Sequence, residues 1–259
     1  MRKEAVRYWE EIAAQDIAAV RDAMLAGFRS ERAFDESGRV DARHLLLPFL
    51  SRNDIALDVG CGVGRLLKWV APHCSEAIGL DVSGGLLRIA RRRLSRLPNV
   101  RFAKLPRSLA FPIATGSIDF AYYYHVSLHV DREDNLRILR EVRRCLRPRS
   151  CALVQFSLIE HPEFRENLAR WAQERDEAEL GVSYFTESEA RIFLELANLH
   201  PQIRLFVPGE FVAVVTKRDE RVLGEMPLVL LRTEHEEGES ALSYPNPTRG
   251  SRRPAARGA

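Results

Sequence analysis

No apolar run in this 259-residue chain approaches the roughly 20 residues that a membrane-crossing helix needs. The opening Met1-Arg2-Lys3-Glu4 leads into a charged amphipathic stretch and not the apolar centre of a signal peptide. A cytoplasmic protein with no membrane partner is therefore expected. Cysteine is scarce: Cys61, Cys74, Cys145 and Cys151 include no C-x-x-C pair. That argues against a zinc or redox centre and for free thiols in a reducing compartment. Lysine occurs only at 3, 68, 104 and 217, and arginine supplies the rest of a basic total that exceeds the acidic one by a net +3. A charge so close to balance requires no basic face, so no nucleic-acid partner is expected. His125 and His129 stand four apart without the glutamate of H-E-x-x-H, and no metal site is expected.

Order along the chain comes from apolar spacing. Val6, Trp9, Ile12 and Ala13, then Ile17, Val20, Met24 and Phe28, recur at helical intervals. One or two helices are expected there, with a break at Ser37-Gly38 and a further helix over 42–50 capped by Asp41. Short apolar runs then alternate with helical segments. Strands are expected at 55–59, 77–81, 100–103, 118–123 and 151–158, with helices at about 63–71, 84–96 and from Asp131 to about Leu146. Alternation of this kind implies a mostly parallel sheet with helices on both faces. A charged helix is expected over 162–178, and Thr186-Glu187-Ser188-Glu189 is a capping box for a helix to about 198. Ile203–Val207 and Phe211–Thr216 are separated only by a turn at Pro208-Gly209, too short for a helical crossover, so they form an antiparallel hairpin.

The expected architecture is a three-layer α/β sandwich: a seven-stranded, mostly parallel sheet with a C-terminal antiparallel hairpin, and an N-terminal helical extension. The expected division is an N-terminal cap over 1–40, the main domain over 41–217 with an insert at 160–185 above the site, and a mostly disordered tail over 218–259.

The chemistry centres on Leu57-Asp58-Val59-Gly60-Cys61-Gly62-Val63-Gly64-Arg65, three alternating glycines between a strand and a helix. Glycine there lets a ligand lie against the main chain, and ligands of open α/β sheets bind beyond the carboxyl ends of the strands. Asp81 ends the next strand about 20 residues on, the distance at which an acid takes ribose hydroxyls. The two features together fit a ribosyl cofactor. The spacing is G-x-G-x-G, not G-x-G-x-x-G, and Asp58 lies beside it. A carboxylate there repels a pyrophosphate and attracts an ammonium, which favours S-adenosylmethionine over NAD.

Leu57–Arg65 resembles motif I of the class I S-adenosylmethionine-dependent methyltransferases. Gly79-Leu80-Asp81-Val82-Ser83 resembles their acidic second motif, and Leu146-Arg147-Pro148-Arg149-Ser150 the approach to their fifth strand. The hairpin resembles their reversed last strand. The resemblance spans about residues 40–217. It implies that Asp58, Gly60, Gly62 and Gly64 surround the methionine part, that Asp81 binds ribose, and that Val82 lies against the adenine, with Cys61 and Ser83 also expected to bind the cofactor. Two departures stand out. Residues 104–109 carry no acid for the adenine amino group, leaving a backbone carbonyl or Ser108, and Arg149-Ser150 replace a glycine pair.

Tyr124, His125 and His129 follow the fourth strand at the ligand end and are the candidates for an acceptor-facing wall, with a histidine as general base. Packing and loop capping are the structural alternative. Trp9, Phe28 and Phe34, and Trp171 and Tyr184 in the insert, are candidate lid residues or plain core. The arginines at 88, 91, 92, 93 and 96 read as a solvated helix face. The acceptor expected is a small molecule. A non-catalytic cofactor binder, an NAD-dependent oxidoreductase and an RNA- or protein-directed methyltransferase are the alternatives. Oligomeric state is not encoded in any motif.

Overall fold

The computed structural model describes residues 1, 3–15, 17–24, 30–172 and 183–217. The expected tail over 218–259, Phe28, residues 173–182 of the insert and the side chain of Trp171 lie outside the described residues. Among the described residues no helix is long and apolar enough to cross a membrane.

Seven strands form one sheet: β1 (Ile55–Val59), β2 (Glu76–Asp81), β3 (Val100–Lys104), β4 (Ile118–Tyr123), β5 (Leu146–Ser157), β6 (His200–Val207) and β7 (Glu210–Thr216), in the order β3-β2-β1-β4-β5-β7-β6. β7 alone is reversed, pairing antiparallel with both β5 and β6. The central strands are apolar throughout because both faces are covered. In β1, Leu57 and Val59 enter one core with Ile138, Leu139 and Val142, while Ala56 enters the other with Leu45, Leu46, Leu67 and Val70. The alternation is the period-two geometry of a strand.

Eight α-helices are described: α1 (Lys3–Ala14), α2 (Ile17–Met24), α3 (Glu31–Asp41), α4 (Leu67–Val70), α5 (Gly84–Arg93), α6 (Arg132–Cys145), α7 (Pro162–Trp171) and α8 (Glu187–Leu196). The capping box forms as expected, with the Glu189 amide donating to Thr186 Oγ1 at 3.1 Å and the Thr186 amide to Glu189 Oε2 at 2.8 Å.

The helix break expected at Ser37-Gly38 does not occur. Residues 30–41 form α3, capped by Ser30, and Ser37 donates back to the Phe34 carbonyl within it. Gly38 is there for close approach: a Cβ on it would lie 2.7 Å from the Arg65 carbonyl oxygen. Asp41 does not start a new helix. It pairs with Arg65 at 2.6 Å, both buried, and a π-helical turn continues over Ala42–Leu46. The helix after β1 is also shorter than expected, because the turns of the glycine segment run on to Leu66. β5 begins at Leu146, five residues early, and carries Arg149 in the left-handed region at φ 64°. That is the conformation a glycine would adopt freely.

The N-terminal helices build their own small core. Trp9, Val20 and Phe34 pack with Val63 of the glycine turn and Leu86 of α5. The Glu10 carboxylate of α1 accepts the amides of Gly84 and Gly85, both at 2.9 Å, and pairs with Lys104 at 2.9 Å. The expected arginine face is partly engaged too: Arg93 bonds Asp35 of α3 at 2.6 Å.

Candidate active site

Strand order reverses between β1 and β4, and a crevice opens beyond the carboxyl ends of two strands that leave in opposite directions. Here a cavity opens, lined by the glycine turn, the ends of β1 and β2 and the segment after β4.

The glycine turn forms its floor. The Gly60 and Cys61 amides both donate to the Leu80 carbonyl, at 2.8 and 2.9 Å, which ties the turn to the end of β2. Gly60 has φ 82°, and a Cβ on it would sit 2.5 Å from Val126 Cγ2. Only glycine fits both the backbone and the space. Met24 of α2 lies over Gly62, within reach of the place a Cβ would occupy. Gly64 turns away from the cavity and packs under Leu94.

Two carboxylates face this floor. Asp58 is buried, and burial pushes its pKa up to about 8, although the neighbouring Tyr122 hydroxyl and Arg65 pull it down. A buried carboxylate held this high is short of a cation. Asp81 accepts the Gly62 amide at 2.9 Å with one oxygen and the Ser83 amide at 2.8 Å with the other. Burial raises it to about 6 against those backbone bonds. Each oxygen keeps a lone pair for a further donor. The N-cap of α5 is Ser83, whose Oγ accepts the Leu86 amide at 3.1 Å. Asp81 is thus free of the capping role and joins the turn to the helix.

The wall beyond Asp81 is apolar. Val82, Leu105, Leu109, Val130 and Ile138 line it. Ser108 is exposed and outside the lining, with its Oγ at 3.5 Å from the Ala110 amide. The segment without an acid therefore contributes leucine faces in place of a polar partner.

At the opposite end Tyr124, His125 and His129 all line the cavity. His129 packs edge-on against Trp9 at 5.2 Å, and burial depresses its pKa to about 4. His125 stands edge-on to Tyr124 at 4.2 Å, with its backbone at φ 59°. Its amide donates to Gln155 Oε1 at 2.9 Å, and Gln155 Nε2 donates to Ser157 Oγ at 3.0 Å. Of the candidate lid residues, Trp9 lines the cavity. Phe34 is core, and Tyr184 stacks on Phe164 at 4.8 Å. Arg65, Met24, Gln155 and Glu210 were not among the sequence candidates. Arg65 directly follows the glycines, a position from which it could have been read. The others carry no local signal.

The glycine turn brings two buried carboxylates, Asp58 and Asp81, to the floor of one cavity at the switch point of the sheet. Residues 57–154 match the family model described as "Methyltransferase domain". That segment is similar to a methyltransferase domain on a Rossmann-like sheet, and S-adenosylmethionine is the cofactor that such a domain and fold imply. Methyltransferase GfsG of Streptomyces halstedii is 33% identical over 95 residues, 36% of this chain and 34% of that protein. The chain matches only 34–44% of the length of the curated relatives. Among solved structures, the PH0226 protein of Pyrococcus horikoshii OT3 superposes with TM-score 0.60 at 19% identity, over 73% of this chain and 93% of that one. The pyocyanin biosynthetic protein PhzM superposes with TM-score 0.58 at 20% identity, over 80% of this chain and 61% of that one. At these identities the superpositions show the fold.

Proposed function

We propose that the protein is an enzyme that moves the methyl group of S-adenosylmethionine to a small-molecule acceptor. The observation that carries this reading is one cavity reaching from the cradle of Asp58, Gly60, Gly62 and Asp81 to the wall of Tyr124, His125 and His129. When bound, the cofactor supplies an activated methyl on a sulfonium. The chain's own residues then bind and orient. Asp58 pairs with the ammonium and regains its charge, and the turn of Gly60, Cys61 and Gly62 lies along the methionine part. Asp81 takes the ribose hydroxyls while its backbone bonds hold it still. Val82, Leu105 and Leu109 hold the adenine between apolar faces. The acceptor sits against Tyr124, His125 and His129, where Trp9 and Met24 of the N-terminal helices exclude water. Positioning of the acceptor in line with the methyl supplies most of the acceleration.

A small acceptor is supported by the single cavity that holds the cradle and the wall of Tyr124, His125 and His129 together.

Calorimetry with S-adenosylmethionine, S-adenosylhomocysteine and NAD tests the cofactor. Binding of both sulfur compounds and not of NAD is expected, and the reverse pattern overturns the reading. Transfer of a labelled methyl into a metabolite pool tests the acceptor. Label in small molecules supports it, and label only in RNA or protein overturns the acceptor class.

A further inference from the structure

Behind His125 lies a buried acid that the cavity does not touch. Glu210 opens β7, opposite Ser157 at the end of β5. Because β7 runs backwards, its first residue arrives at the carboxyl end of the parallel strands, beside the ligand. Glu210 Oε1 stands 4.0 Å from His125 Nε2, with the two side chains 2% and 13% exposed. Glu210 Oε2 is buried and has no hydrogen-bond partner among the described residues. A buried carboxylate oxygen left without a partner is destabilising. It persists where a function retains it.

The ring of His125 is fixed from three sides. Its backbone is held in the left-handed region, its amide is bonded to Gln155, and Tyr124 packs against its edge. Such backbone strain in a bulky residue gathers at functional sites. The result is an imidazole that lines the cavity with one nitrogen turned toward a carboxyl.

We infer that His125 and Glu210 form a proton-accepting pair, and that the acceptor is a hydroxyl whose proton His125 takes as the methyl is transferred. This rests on the methyltransferase reading above. Glu210 is the positioning residue: as a carboxylate 4.0 Å from Nε2 it attracts the Nε2–H electrostatically and leaves the second ring nitrogen basic. In the transfer, the acceptor oxygen forms a bond to the methyl carbon as the carbon–sulfur bond breaks, with its electron pair going to sulfur. The hydroxyl proton goes to His125. The imidazolium so formed is offset by Glu210, and its proton leaves to solvent when products depart.

The surroundings set the pH at which the pair works. Burial raises Glu210 to about 8, and nearby Asp41 adds to this, while Arg65, a hydrogen bond with the Gln155 side chain and Arg204 oppose it. His125 is pushed well below its ordinary value by burial, with Arg65 and His129 in the same direction. Both partners are therefore largely uncharged near neutrality. The Nε2–H tautomer is selected as Glu210 loses its proton, with rising pH.

The test is histidine-ring NMR of the S-adenosylhomocysteine-loaded protein between pH 6 and 9, in wild type, Glu210→Gln and Glu210→Asp. In wild type the His125 ring signals should move with a midpoint near 8. That movement should vanish in Glu210→Gln and return in part in Glu210→Asp. An unchanged His125 titration in Glu210→Gln overturns the pair. S-adenosylhomocysteine affinity, read by calorimetry, should stay within about twofold in both variants, because Glu210 lies outside the cavity lining. Absence of binding by the wild type overturns the methyltransferase reading itself, which separates the two failures.

Discussion

Glu10 of α1 accepts the amide of Gly84, 74 residues further on, at the first turn of α5. The contact places an acid from the N-terminal helices at the positive end of a helix dipole, directly after the Asp81-Val82 edge of the site. Burial alone would raise the Glu10 pKa, but Lys104 and the Gly85 and Gly84 amides outweigh it and hold it at about 2. A depressed carboxylate contributes stability above its unfolded value, near 4.5, and loses it as pH falls through 2. Protection of the α1 amides, taken relative to an unstructured peptide at the same pH, should therefore fall between pH 4.5 and 2 in wild type. Glu10→Gln should show the lower protection already at pH 7 and little further change on acidification. Exchange measured by mass spectrometry checks this, and equal protection of α1 in both proteins counts against the clamp.

Asp58 carries the opposite sign. Its pKa is raised, so the folded state holds a proton that the unfolded chain gives up. Its stabilising contribution is full below about 3.8 and lost as pH rises through about 8. Asp58→Asn should raise the melting temperature of the ligand-free protein at pH 8 by about 2–4 °C, the shift expected for about 1 kcal/mol. The same change should weaken S-adenosylmethionine at least tenfold, since the ammonium loses its counter-charge. Thermal melts and calorimetry measure the two halves separately.

Gly60→Ala should cost about 2–5 kcal/mol, from left-handed strain of about 1–2 and overpacking of about 1–3 against Val126. Urea unfolding checks the value. A loss below about 0.5 kcal/mol would mean that the turn can relax away from Val126.

Arg149→Gly should do the reverse. The residue sits at φ 64°, and glycine removes strain of about 1–2 kcal/mol at some cost in unfolded-chain entropy. A net gain of about 0.5–1 kcal/mol is expected by the same unfolding measurement, with cofactor affinity unchanged.

Much of the sheet could be read from the chain because its strands are short apolar runs separated by helices. The hairpin followed from a turn too short for a crossover. The same reasoning failed at Ser37-Gly38, where glycine signals a break by composition. Its reason is tertiary: the Arg65 backbone approaches α3 too closely for a Cβ. Asp58 and Asp81 were visible because they flank the glycines at fixed spacing. Glu10, Met24 and Glu210 were not, because each meets the cavity region from a distant element, and nothing in its own neighbourhood distinguishes it from an ordinary surface or core residue.

The reversal of β7 has a consequence for how such a protein can change. The glycine turn and its two carboxylates are written in β1, β2 and the turns after them, whereas Glu210 is delivered by the last turn of the sheet. A substitution at the start of the last strand alters what stands behind His125 and leaves the residues of the glycine turn as they are. What backs His125 and what floors the cavity are carried on separate stretches of chain, so one can drift while the other is kept.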